Sequence, residues 1–134
     1  MKVILDKDFA KISLYEDFKI LEVIWKRKVT AEEYKYTFEF AVIFSEENAG
    51  SAENFISDIR LQGIVGPAER KWFQEIMIPR ATKSGVKHAA VVFSGGVFAK
   101  YYLNNITGTT KKLGIDMKFF NDLNQAHEWI KSFY

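Results

Sequence analysis

The chain has no cysteine and only two prolines, Pro67 and Pro79. Without cysteine there is no disulfide, no thiolate metal site and no cysteine nucleophile. The lack is compatible with a reducing compartment. No stretch approaches the roughly 18 apolar residues of a membrane-spanning helix. The first residues carry Lys2, Asp6, Lys7 and Asp8, so the apolar core of a signal peptide is missing there, and the expected location is cytoplasmic. Charge bias is also slight, at +2. That is too little to argue for nucleic acid, and the densest basic run, Lys26 to Lys28, reads as a solvated turn.

What the chain has in quantity is apolar and aromatic mass. Of its 134 residues, 48% are apolar and 16% aromatic, with twelve Phe and six Tyr. Large rings bury much area each, so one domain of this length can close a core. No linker, repeat or low-complexity stretch divides it, and residues 1–134 read as a single domain.

Alternation over Ala10 to Tyr15, an acidic turn at Glu16 and Asp17, and the apolar run Phe18 to Trp25 predict a β-hairpin. Val3 to Leu5 either adds an edge strand or leads into it. From Thr30 to Ser45 two periods compete. Tyr34, Tyr36, Phe38 and Phe40 alternate as in a strand, while Thr30 and Glu33 make a capping box. The cap and the length favour helix, with Tyr34, Phe38, Ala41 and Val42 on one face and Tyr36, Phe40 and Ile43 on the other. Glu46 to Ala52 reads as a loop.

Asn54 to Ile59 reads as a strand and Arg60 to Gly66 as a loop. Ala68 to Ser84 reads as a helix opened by Pro67, with Trp72, Phe73, Ile76 and Met77 inward and a kink or break at Pro79. His88 to Phe93 is a buried, parallel-type strand. A helix from Val97 to about Lys112, a strand from Ile115 to Phe120 and a helix capped by Asp122 complete the chain. In the last helix Leu123, Ala126, Ile130 and Phe133 share a face. A hairpin followed by alternating strands and helices predicts an α/β fold with a mixed sheet.

The stretch from Phe55 to Gly85 resembles a group of small bacterial proteins. It has Asp58-x-Arg60 at a strand end, a glycine loop, a helix opened by Pro67 and containing Trp72, and then Pro79-Arg80-Ala81. Val97 to Lys100 and Phe119, Phe120 and Trp129 extend the likeness along most of the chain. That group is similar to STAS domains, the fold of anti-sigma-factor antagonists (SpoIIAA-like), and more distantly to CRAL-TRIO lipid carriers. The resemblance implies a STAS-like α/β domain, with a protein partner as in the antagonists or an apolar ligand as in the carriers. The antagonists carry a phosphorylatable Ser or Thr where a helix begins after the third strand. Here Gly63 to Pro67 offers no hydroxyl, so the phospho-switch is not carried over.

The residues themselves offer few sites. Asp58 and Arg60, two apart at a strand end, form either a ligand site at the carboxyl ends of the strands or a structural ion pair. Ser94, Gly95 and Gly96 join a strand to a helix; they either cradle an anion, with Lys100 adding charge, or make a tight turn. The glycine spacing fits neither a phosphate-binding loop nor a dinucleotide fingerprint. Arg80 and Lys83 serve anion recognition or complement a helix end. His88 and His127 lie far apart and read as surface or boundary histidines, with no metal spacing. No nucleophile elbow or acid–base pair is legible, and no cofactor is expected. The second apolar face of the Thr30 to Ser45 helix is surplus to packing on one sheet. Tyr36, Phe40 and Ile43 therefore predict either self-association as a homodimer or cover by the loop Glu46 to Ala52. The expected function is a non-enzymatic interaction or regulatory domain. The alternative is a carrier of a small apolar ligand or lipid, with its pocket among the helices and the strand ends, near Asp58, Arg60 and Gly95. An enzyme using Asp58, Arg60 and Lys100 ranks third.

Overall fold

Three antiparallel strands open the chain: β1 (Lys2–Asp6), β2 (Ala10–Tyr15) and β3 (Ile20–Trp25). The computed structural model describes residues 1–95 and 97–134, and of residues 97–103 and 105 the backbone alone. The acidic turn between β2 and β3 is one turn of 3₁₀ helix, Glu16–Phe18, closed by Lys19 in the left-handed region at φ 52°. Then follow α1 (Ala31–Glu47), β4 (Asn54–Asp58), α2 (Pro67–Trp72), a π-helical segment (Phe73–Met77) and α3 (Ile78–Lys83). The chain ends with β5 (His88–Val92), α4 (Val97–Lys112), β6 (Asp116–Phe120) and α5 (Leu123–Lys131). All six strands form one sheet in sequence order, with β3 to β6 parallel. The fold is α/β with a mixed sheet.

The contested segment is a helix because its end is satisfied locally. Thr30 Oγ1 accepts the Glu33 N–H at 3.2 Å, and the Glu33 carboxylate accepts the Thr30 N–H at 3.0 Å. The Arg27 guanidinium, bonded to Glu33, helps hold that carboxyl down at about 2. Tyr34, Thr37, Phe38, Ala41, Val42 and Ser45 are buried at helical spacing. The alternation of aromatics was therefore a coincidence of two stripes, not a strand.

Strand parity sorts the side chains. Leu21, Val23, Trp25, Phe55 and Ala89 face one side, while Ile20, Ile56, Ala90 and Val92 face the other. Each parallel crossover steps in the same direction along the sheet, so a common hand puts α1, α2–α3 and α4 on one face. The last helix, α5, packs on the opposite face through Ala126 and Ile130.

Residues 68–84 refine one expectation and overturn another. The helical turns run on past Pro79 to Lys83, and the regular α-helix is interrupted just before that proline. A π turn just before it, with the Ile78 N–H bonded to the Phe73 carbonyl, lets the helix pass a residue that has no N–H to give. The extra residue in that turn also rotates the register. Ile78 and Ala81 continue the buried stripe behind Met77, and Ile76 points outward at 48% exposure.

Candidate functional site

The carboxyl ends of the parallel strands carry the pair that the sequence singled out. Asp58 and Arg60 do touch: Arg60 Nε donates to Oδ1 at 2.9 Å and Nη2 to Oδ2 at 2.6 Å. The Arg60 backbone N–H also reaches Oδ1, at 3.2 Å. Asp58 is buried, so its charge needs this partner, and the planar fork supplies it. These bonds raise the guanidinium above its ordinary range, and Asp122 adds a smaller pull. Asp122 itself caps α5, accepting the Asn124 N–H at 2.7 Å.

After β5 the chain turns to α4 on one face, and after β6 to α5 on the other. The loops therefore diverge between β5 and β6, which is where open α/β sheets form a crevice. Gly95 stands at this point with φ 147°, a value that suits glycine. Gly96 and the Lys100 side chain lie outside the described residues. Arg80 does not belong with Asp58 and Arg60. It bonds Glu46 in a fork of 3.0 and 2.6 Å and ties α3 to the end of α1, at the edge where β4 and β5 start. Those bonds raise Arg80 and lower Glu46.

Two hollows lie near the strand ends. An apolar cavity of about 80 Å³ sits between the sheet and the layer of α1, α3 and α4, walled by Phe38, Phe55, Met77, Ala89 and Ile106 among others. A cleft of about 500 Å³ runs outside it along the 59–66 loop, with Arg60, Arg70 and Ser94 in its wall. Ile59 and Gln62 line both. Gln62 is 4% exposed. The cleft reaches the strand ends through Arg60 and Ser94, and the apolar cavity lies deeper, beneath the helices. Its cause is local: Ser57 and Ala89 are small where a covered parallel sheet usually places branched aliphatics.

The α5 face holds polar residues that sequence reasoning passed over. Glu22 is 3% exposed, at the centre of β3. His127 Nε2 meets Glu22 Oε2 at 2.5 Å, and the Tyr15 hydroxyl donates to Oε1 at 3.5 Å. Burial first, then Glu22, raises the Tyr15 phenol. His127 is thus a boundary residue, as expected, and it pairs with a buried carboxylate. At the other end of α5, Asn54 Oδ1 meets His88 Nδ1 at 2.7 Å, and Asn54 Nδ2 donates to the Tyr134 hydroxyl at 2.8 Å. Phe133 stacks on His88 at 3.9 Å between centroids. The signal for Glu22 was present in the sequence: a lone acid inside the apolar run Phe18 to Trp25.

On the outer face of α1, Tyr36 is 46% and Ile43 41% exposed, while Phe40 is half-buried against the core. Phe9, from the turn between β1 and β2, meets the Tyr36 ring edge-on at 6.2 Å. Among the described residues, no helix is long and apolar enough to cross a membrane, and no group of His, Asp or Glu could hold a metal ion. Compared with family models, curated proteins and solved structures, the chain matches none.

Proposed function

We propose that the chain is a non-enzymatic interaction domain that self-associates as a homodimer through the outer face of α1. The observation that carries this reading is the exposure of Tyr36 and Ile43 beside Phe9 and Phe40. Contiguous apolar surface of this kind is the usual mark of an interface. The charged groups at the strand ends support the same reading. Asp58 is spent on Arg60 and Glu46 on Arg80, so neither carboxylate stands ready as a base. The STAS-like order of elements fits a domain that works by contact, and a cysteine-free chain fits a cytoplasmic setting.

The test is assembly mass by light scattering at micromolar concentration, for the parent and for Ile43→Glu. Ile43 is the position to change because it is exposed, whereas a charge at half-buried Phe40 would also disturb the core. The expected result is a dimer that becomes a monomer with unchanged circular dichroism. An identical mass for both proteins refutes the interface.

A further inference from the structure

We infer that the cavity beneath the helix layer is a binding site for a neutral apolar molecule of about three heavy atoms, a small hydrocarbon in chemical class. This goes beyond self-association and uses a different part of the molecule. Three observations carry it.

The first is size. About 80 Å³ is several times the space a single water needs. It is about half of the ~150 Å³ apolar cavity known to take benzene, so roughly three carbons fill it. A benzene ring or a lipid chain is too large.

The second is the lining. Phe38, Phe55, Phe73, Met77 and Met117 stand in the wall, and among the described residues no charged side chain does. Thr110, a polar member, donates its hydroxyl to the Thr107 carbonyl at 3.0 Å. Among the described residues, the buried side-chain polar atoms without a partner are Trp25 Nε1 and Ser51 Oγ, and neither residue is in the wall. An ion or a water entering here gives up its solvation and regains little. A hydrocarbon has no hydrogen bonds to lose, and the rings and thioethers around it offer polarizable contact.

The third is the π turn. Phe73 and Met77, at its two ends, are both part of the wall. Such turns are rare and are frequent at functional sites. A way in from solvent is also marked. Ile59 and Gln62 line both the cavity and the outer cleft. They belong to one turn, closed by the Gln62 N–H on the Ile59 carbonyl at 3.1 Å, and a ligand enters past it.

The experiment is a titration with cyclopropane of protein labelled at its isoleucine and methionine methyls, followed by NMR. Saturable shifts are expected at Met77, Met117, Ile78, Ile106 and Ile115, with Ile20 and Ile130 on the opposite face unmoved. Half-saturation should fall at about millimolar concentration, near the ceiling for a ligand of three heavy atoms. Ala89→Ile, which fills the void, should abolish the shifts in a protein that still melts cooperatively. Should that variant fail to fold, Ser57→Val, which narrows the same space by less, takes its place and should weaken binding. Acetate, similar in size but charged, and benzene, apolar but too large, should leave these methyls unmoved. Shifts that never saturate, binding undiminished by the filling substitution, or equal binding of acetate or benzene would each overturn the proposal. Saturable shifts centred on Ile43 would overturn it too, by placing cyclopropane on the α1 face.

Discussion

The two faces of the sheet solve the same packing problem in opposite ways. One is covered by three helical crossovers and is almost entirely apolar, with Leu21, Val23, Trp25 and Phe55 meeting Tyr34, Phe38 and Met77. The other is covered by nine residues of α5, and it mixes Ile20, Ile56 and Val92 with Glu22, Asn54, Asp58 and His88. A broad apolar layer is held by area, which is non-directional, so it tolerates a void beneath Ala89. A short helix buries too little to be placed by area alone. It is fixed at its start by the Asp122 cap, in its middle by His127 on Glu22, and beyond its end by Phe133 and Tyr134 on His88 and Asn54.

The strongest way to break this contrast is to remove one half of a buried pair. His127→Leu should destabilise the fold by about 3 kcal/mol, because Glu22 is left buried and uncompensated. Urea unfolding measures this, and the double change Glu22→Leu with His127→Leu should restore most of the loss. If the single change costs less than about 0.5 kcal/mol, α5 is not held by this pair.

Adjacent alanines on β5 then sharpen the comparison. Ala90 is 1% exposed and packed under α5, so Ala90→Val should cost about 1–3 kcal/mol through overpacking. Ala89 borders the cavity, so Ala89→Val should stabilise by about 1 kcal/mol as its added methyls find space. Opposite signs in thermal melts are the expected outcome, and equal signs would mean the two faces pack alike.

The smallest effect is that of pH. Burial holds the His88 imidazole below its ordinary value, so the fold favours the neutral form. Its contribution is complete above the unfolded value near 6.5 and is lost as pH falls through the folded value. The melting temperature should decline modestly between pH 7.5 and 5.5, and His88→Phe should flatten that decline.

Much of the architecture was legible before any coordinates. Thr30 and Glu33 marked a helix start, Gly85 and Gly114 helix ends, and Asp122 a cap, because these signals act within a few residues. The errors came where a local rule met a neighbour. Pro79 predicts a break, yet a π turn absorbs it, and that same turn moved Ile76 outward. Asp58 and Arg60 were readable as a pair because they are two residues apart. His127 and Glu22 were not, with 105 residues between them.

By itself, then, the sequence determined the order and kind of the elements and the apolar stripe that each turns inward. Periodicity and capping are short-range and do not depend on what the rest of the chain does. The tertiary structure alone decided which polar residues meet and where space is left. Both follow from strand order and crossover hand, which set Glu22 beneath α5 and the small Ser57 and Ala89 beneath the helix layer.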